Sequence, residues 1–484
     1  REARAPDAAP TSSPEAILAD AERALEMGER KHRARDFGKA LELLAQSSAQ
    51  IAQAGLVGER KGCLLFAAAS ANLLEVKRES SRLAELAAPT RLTTTDRAAE
   101  TEARRLLTSQ ACEALAQGFG HAQSAGAAEE ELSHLAEMHA SSLQLAGEAA
   151  EERGDLTSAD ACMSEAVERM QHATRLCMQG LEQEVAHTEG PVAAETPVDL
   201  LCAQGDAHVA LARVRFARSR DESLPALQRA ELQRAARAAG RAGVQLLSQA
   251  TGLCDSDKGD DLPGVVEQWA RAIWEVADLA SGEERAKGLA LAASKASESM
   301  SLSPVPLSSC ACLLGDIRKA QAEERVAAAA VGDTAAHASP ACVDAALAAG
   351  AEAVRLYALA CSEGYGRALQ VSRRDMAAHL GSAEAWLDCG RVVGQCTASA
   401  QPAKHGAVAA ALAGALASVV GADGGPMRDA GDCFALSLRH FEALRDRPPQ
   451  DWAAAGLSAQ DRADAAFNLA CTYALAGREA ACAQ

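Results

Sequence analysis

The chain has 484 residues, of which 48% are hydrophobic and only 3% aromatic, and its formal net charge is −18. A chain of this length can bury a large core, and its acidic balance argues against nucleic acid as the main ligand because like charges repel. The hydrophobic residues are mostly Ala and Leu, which favour helices, and few segments are rich in Val, Ile, Tyr or Thr. The composition therefore predicts an all-α protein.

The 15 cysteines are scattered singly, without a Cys-x-x-Cys motif, and the closest pair is Cys310 and Cys312. An odd number of cysteines spread over helical segments predicts reduced thiols that serve as small buried residues. We therefore expect an intracellular reducing compartment, with the cytoplasm as the first choice. An organelle is the alternative, because the sequence begins at Arg1 without Met and a targeting segment could precede it.

The first predicted elements are a disordered lead-in over residues 1–13 and a helix that begins at Pro14, a residue suited to a first helical turn. After it, apolar residues recur at three- and four-residue intervals nearly throughout, the period of amphipathic helices. Breaks rich in Gly and Pro, such as the one between Cys254 and Gly264, interrupt this period and predict turns between helices.

These breaks suggest two helical arrays, 14–253 and 265–484, that continue into each other. The long uncharged run is GAVAAALAGALASVVGA, which starts at Gly406. It is shorter than the roughly 20 strongly apolar residues that span a bilayer, so we expect a buried helix and no membrane span.

Helix-turn-helix segments recur along the chain. The stretch RDFGKALELLAQSS, from Arg35 to Ser48, reads as a short turn with an aromatic residue followed by a second helix. The stretch LQLAGEAAEERGDLTSADACMSEAV has a turn at Gly154, with Ala159 and Met163 on one face of the helix that follows it. Small or apolar anchors in the first helices of such segments are Gly147, Gly205, Ile273, Gly315, Gly390 and Ala470.

These segments resemble the tetratricopeptide-repeat family over most of the chain. The resemblance implies an α-α superhelix, a tetratricopeptide-like solenoid of antiparallel helix pairs that cross closely at small residues. The anchors are spaced irregularly and more widely than the roughly 34-residue period of the family. We therefore expect degenerate repeats, with long helices or insertions between them.

Stacked helix pairs present a long surface that binds an extended peptide or a partner helix, so the resemblance implies a scaffold or adaptor that binds proteins. Residues expected on the groove side of the first helices are Lys31, Glu148, Glu151, His208, Arg318 and Arg391. The chain has only two Asn, so a carboxylate clamp made of Lys, Arg and paired Asn is not expected.

A second candidate is a local run of arginines between residues 213 and 241. Its members are Arg213, Arg215, Arg218, Arg220, Arg229, Arg234, Arg237 and Arg241, and the acidic residues of the same stretch are Asp221, Glu222 and Glu231. Three interpretations stay open: a solvated face whose Arg stems cover Ala, a docking site for an acidic partner segment, or a phosphate track for RNA. RNA lacks support from interleaved aromatic residues, which would stack on bases.

No motif in the sequence predicts catalysis. The His residues are scattered, His134 and His139 do not share a helix face well, and Cys310 with Cys312 lacks further ligands for a metal. Carboxylate clusters at helical spacing indicate solvated faces. We therefore expect no enzyme, no catalytic residues, no metal, no cofactor and no small-molecule substrate.

Two competing functions stay open beside the protein scaffold, which could also be one subunit of a larger assembly. The first is an organellar RNA-binding helical-repeat protein that uses the arginine run. The second is a helical enzyme, which would need buried His or carboxylate groups with perturbed pKa values gathered at one place.

Overall fold

The computed structural model describes residues 14–31, most of 112–187, and then 197–254, 261–303, 307–333, 340–399 and nearly all of 427–477. The regular elements among these residues are all helical. They are α1 (Pro14–Lys31), α2 (Glu129–Glu152), α3 (Leu156–His187), α4 (Val198–Ser219), α5 (Ala226–Leu253), α6 (Leu262–Ala277), α7 (Gly282–Leu302), α8 (Ser308–Asp333), α9 (Pro340–Leu359), a π-helix (Ala360–Tyr365), α10 (Gly366–Val371), α11 (Met376–Ser399), α12 (Ala430–Arg445), α13 (Pro449–Ala454) and α14 (Ala459–Leu475).

The chain divides into two compact units, and among the described residues the boundary lies between Leu253 and Cys254. In the first unit α2 packs on α3 and α4 on α5, and α3 also contacts α4. In the second unit α6 packs on α7, α8 on α9 and α11 on α12, and each pair contacts the next. The fold is therefore all-α, a helical repeat of antiparallel pairs, as the sequence predicted. The continuity of the two arrays stays a prediction.

Local signals begin and end several of these helices. Gly154 has a φ of +76° in the turn between α2 and α3, where a residue without Cβ avoids a steric clash. The Asp261 side chain accepts a hydrogen bond from the backbone N–H of Gly264 at the start of α6. Ser458 and Asp461 form a capping box at the start of α14. The turns at Gly154 and before α6 fall where the sequence pattern placed breaks between helices, whereas the break before α14 was not predicted.

The four predicted glycine anchors lie where a first helix crosses its partner. The nearest atoms that an added Cβ would meet belong to Met163 at 2.9 Å for Gly147, Leu247 at 2.8 Å for Gly205, Tyr365 at 2.7 Å for Gly315 and Phe434 at 2.5 Å for Gly390. Distances this short leave no room for a side chain, so the missing Cβ lets the helices of each pair approach closely. The predicted role of these anchors as crossing points is confirmed.

A π-helical turn interrupts the second helix of the α8–α9 pair. It spans Ala360–Tyr365 and continues directly into α10. Such turns insert an extra residue into a helix and change the direction of nearby side chains. Here the Tyr365 ring fits against Gly315 and Gly381, and its hydroxyl donates a 2.6 Å hydrogen bond to Asp316 Oδ1.

One helix among the described residues, Ala345–Val371, is long and apolar enough to cross a membrane by length and composition. Over its most apolar window, 56% of the residues are buried inside the protein. The uncharged run that starts at Gly406, the lead-in over residues 1–13 and nearly all of the Arg35–Ser48 stretch lie outside the described residues.

Candidate partner-binding surface

Arg215 and Arg218 of α4 both bind Asp160 of α3. Arg215 Nε donates to Asp160 Oδ1 at 3.0 Å, and Arg218 Nη1 donates to Asp160 Oδ2 at 2.8 Å. The Asp160 side chain is only 11% exposed, and Arg215 also donates to Ser164 Oγ. Charge-assisted hydrogen bonds to a carboxylate with so little solvent access are strong. The two arginines therefore hold α4 against α3.

Arg213 makes a third link of this kind, because its guanidinium donates to Glu151 Oε2 of α2 at 3.1 Å. The structure thus brings the predicted site residues Arg213 and Glu151 together, and they bind each other. The sequence count had set the arginines only against Asp221, Glu222 and Glu231, so it overstated the local excess of positive charge. The error arises because Glu151 and Asp160 are distant in sequence and reach the arginines only through helix packing.

The other arginines of the run have a different environment. The Arg220 guanidinium lies 4.6 Å from the centroid of the Phe216 ring, a cation–π contact. Arg229 is half-buried, and its Nε has no hydrogen-bond partner among the described residues. Three more, exposed on α5, are Arg234, Arg237 and Arg241. Within the described ranges, none of these five guanidinium groups forms an ion pair with a carboxylate.

The remaining predicted groove residues of the first unit are spread over several helices. His208 of α4 is half-buried, and burial, followed by the nearby charge of Arg215, lowers the pKa of this histidine. Glu148 is half-buried on α2, in the same turn as Glu151. Lys31 is the last residue of α1, and its side chain lies outside the described part of the chain.

Arg318 and Arg391 belong to the second unit, and each is engaged by a neighbour on its own helix. Arg318 Nη1 donates to Gln321 Oε1 at 3.0 Å, and burial lowers the pKa of Arg318. Arg391 Nη1 donates to Asp388 Oδ1 at 3.0 Å. Of the predicted groove residues, Arg318 and Arg391 thus lie in the second unit, whereas Glu148, Glu151 and His208 lie in the first.

The second unit contains a polar cluster that the sequence reasoning missed. Residues of α8 (Asp316, Lys319 and Glu323) and of α11 (Glu384 and Asp388) contribute to it. Lys319 Nζ donates to Glu384 Oε2 at 2.6 Å. The spacing of each set, three and four residues apart, puts it on one helix face, and this spacing was the available signal.

Burial raises the pKa values of the Asp316, Glu323 and Asp388 carboxyl groups. Burial alone would lower the pKa of Lys319, but Glu384, together with Asp388 and Glu323, more than offsets burial, so this pKa is raised. Buried carboxyl groups with raised pKa values are what a helical enzyme would need. Here Tyr365 donates to Asp316, and Arg391 donates to Asp388, so internal donors already engage these two acids.

A histidine pair joins α11 to α12. His379 Nδ1 lies 3.0 Å from His440 Nδ1, and His379 Nε2 lies 3.1 Å from the Arg373 carbonyl oxygen. A carbonyl only accepts, so His379 Nε2 carries the proton and Nδ1 of the neutral ring accepts from His440 Nδ1–H. Within the described residues, no group of three or more His, Cys, Asp or Glu side chains could hold a metal ion.

Comparisons with known proteins do not assign the chain to a family. No protein-family model matches it, and no curated protein matches it. Among solved structures, the chain is similar to the structure of Naa15/Naa10 bound to HypK-THB, at 12% sequence identity, over 94% of this chain and 76% of that one. The TM-score of 0.12 is too low to carry an argument. The helical-repeat fold therefore rests on the helix pairs of this chain itself.

Proposed function

We propose that this protein is a non-enzymatic scaffold or adaptor that binds partner proteins on the surface of a tetratricopeptide-like helical repeat, and that it acts within a larger assembly. The observation that carries the proposal is the packing pattern. Helices α2 to α9, α11 and α12 pack in sequential pairs that also contact the next pair within their unit, and these helices carry exposed residues on their other faces. Repeat arrays of this kind use such extended faces for binding.

The cysteines support an intracellular, reducing compartment, with the cytoplasm as our proposal. The described cysteines are free thiols, and several are fully buried. Burial raises the pKa values of the Cys361 and Cys310 thiols, so these groups resist oxidation and behave as small apolar residues.

We propose that Ala345–Val371 is a core helix and not a membrane span. It packs between α8 and α11, and it carries charged residues at Glu352, Arg355 and Glu363. Tyr365 within it binds Asp316 of α8, a contact that a lipid-embedded helix would lose. A direct check is flotation of the purified chain with phospholipid vesicles, in which the protein should stay in the unbound fraction.

The test of the scaffold proposal is capture from native extract on the immobilised full chain, with and without nuclease. We expect a small set of proteins to be retained in amounts that nuclease does not change. Retention of RNA, with proteins lost on nuclease treatment, would instead favour the RNA-binding alternative that the arginine run suggests. If neither protein nor RNA is retained above an unrelated helical protein of equal charge, the scaffold proposal is wrong.

A further inference from the structure

The exposed side of α5 carries arginines that form no ion pair with the residues the structure describes, in contrast to Arg213, Arg215 and Arg218 of α4. Its opposite side, which includes Ala236, Gly240, Gly243 and Leu247, is buried, and Gly243 packs against Gly205 of α4. The exposed side presents, in chain order, Leu227, Ala230, Arg234, Arg237, Ala238 and Arg241. We call these six residues the α5 row, because each lies three or four residues from another member along one helix face.

The α5 row combines three guanidinium groups with small and apolar residues. Leu227 is 71% exposed, which is unusual for so large an apolar side chain. Glu231 is the acidic residue of the same helix face, and within the described ranges it forms no ion pair with Arg234. In a protein of net charge −18, such a row creates a local positive potential that attracts anionic groups, whereas the net charge of the protein repels them.

The spacing of the arginines indicates what shape of anionic partner fits. In a helix that rises about 1.5 Å per residue, Arg234 and Arg241 lie roughly 10 Å apart along the axis, with Arg237 between them. A second helix with carboxylates at positions i, i+3 and i+7 repeats this spacing residue for residue. Side chains on one face of an extended chain recur about every 6.6 Å, which matches the rise of about 4.5 Å from Arg234 to Arg237 less well. Guanidinium groups bind carboxylates in a bidentate manner, which adds geometric selectivity.

We propose that the α5 row docks an acidic amphipathic helix of a partner protein. Three of its carboxylates pair with Arg234, Arg237 and Arg241, and an apolar residue at one end covers Leu227. This inference rests on the proposed scaffold function and names the kind of partner that it takes. The small residues between the arginines let the partner helix approach closely, and the exposed face of α5 has no aromatic residue on which RNA bases would stack.

The test uses the full chain and a synthetic peptide of about 20 residues, long enough to be helical by itself. The peptide is rich in Ala, with Glu at i, i+3 and i+7 and one Leu placed to meet Leu227. Replacement of Arg234, Arg237 and Arg241 by Glu should weaken its binding roughly tenfold or more, since three exposed ion pairs are lost. The matched control replaces the exposed Arg367, Arg373 and Arg374 of the second unit by Glu, and its affinity should stay unchanged. Fluorescence anisotropy gives the affinity, and circular dichroism confirms that both variants fold.

Two further measurements decide the inference. A peptide of equal composition, with its Glu residues distributed around the helix, should bind at least several-fold more weakly; equal binding would overturn the proposal. Displacement of the peptide by single-stranded RNA at lower concentration would also overturn it and would point to nucleic acid. If the peptide does not bind, but partner proteins from extract are retained equally by both triple variants, the α5 row is not the site while the scaffold function stands.

Discussion

At the scale of single residues, one carboxylate, that of Asp160, pairs with two arginines that form part of an apparent basic patch in the sequence. It accepts hydrogen bonds from Arg215 and Arg218 together, so two of the arginines predicted as the second candidate for partner binding also hold α4 against α3. An acidic partner would have to displace Asp160 to reach them, and binding by the α5 row requires no such exchange. Partner contact and helix packing thus use different members of one arginine run.

We predict that Asp160→Ala lowers the free energy of unfolding of the first unit by about 2 kcal/mol. The variant leaves two partly buried guanidinium groups without their shared carboxylate, and their desolvation is no longer offset. Urea unfolding measures the loss. Glu168→Ala, which removes an exposed carboxylate from the same helix, is the control and should change stability by less than about 0.5 kcal/mol. Equal effects of the two variants would contradict the role of Asp160.

The His379–His440 pair predicts a dependence of stability on pH. Burial, aided by His379 and Arg439, lowers the pKa of His440 to about 4, and burial lowers that of His379. Arg447 and Arg439 lower the pKa of His379 further, while the Arg373 carbonyl and Asp375 oppose them. An unfolded histidine has a pKa near 6.5, so below that pH the unfolded chain binds more protons at these two histidines than the native chain does.

Stability should therefore fall as pH decreases from about 6.5 towards 4, by at most about 1.4 kcal/mol per pH unit for each histidine. His440→Phe should flatten this slope, and urea unfolding at several pH values measures it. His134→Gln is the control, because His134 is largely exposed and should leave the slope unchanged. A wild-type slope that His440→Phe does not alter would show that the pair does not have the inferred protonation.

At the scale of helices, the glycine anchors define how the pairs are built. The irregular spacing of these anchors along the sequence reflects unequal helix lengths, such as the 32 residues of α3, and not a different manner of packing. Each glycine anchor admits a large side chain of the partner helix, so neighbouring helices fit together at one defined point. A small residue at the crossing therefore matters more to this fold than a constant repeat length.

Two glycines one turn apart on α11 give a sharp test of this point. A Cβ on Gly390 would lie 2.5 Å from Phe434 Cε1, whereas a Cβ on Gly394 would meet nothing within 4 Å. Gly390→Ala should destabilise the second unit by about 1–3 kcal/mol through overpacking. Gly394→Ala should stabilise it by about 0.5–1 kcal/mol, because Ala has the higher helix propensity. The opposite signs should appear in thermal unfolding, and the same sign for both would refute the crossing role of Gly390.

At the scale of the whole molecule, the two units offer separate spectroscopic signals. The four tryptophans of the chain are Trp269, Trp274, Trp386 and Trp452, and all lie in the second unit. Tryptophan fluorescence therefore reports the second unit, while far-ultraviolet circular dichroism reports helices of both. Helical repeats are stabilised chiefly by contacts between neighbours, so long arrays lose cooperativity between distant parts.

We predict that Asp160→Ala shifts the unfolding midpoint seen by circular dichroism without moving the midpoint seen by fluorescence. Gly390→Ala should move the fluorescence midpoint as well, because Phe434 and the tryptophans share its unit. Parallel urea titrations of the two variants measure both midpoints. If each substitution shifted both signals equally, the chain would unfold as one cooperative block, contrary to this prediction.

The sequence by itself determined the all-helical class, most of the turns between helices and the glycine crossings. These features depend on helix propensity, apolar period and the size of single residues, and such properties act within a few residues of the chain. The Gly147–Gly154 segment shows this well, since both its crossing and its turn were predicted from the pattern.

Only the tertiary structure decided which charges remain available. Asp160 and Glu151 lie 55 to 62 residues away in sequence from the arginines they bind. Tyr365 with Asp316 and His379 with His440 are 49 and 61 residues apart. Such pairs form only where packed helices bring side chains within a few ångströms and exclude water. Local periodicity places a residue on a helix face, but packing against other helices determines which residue it meets.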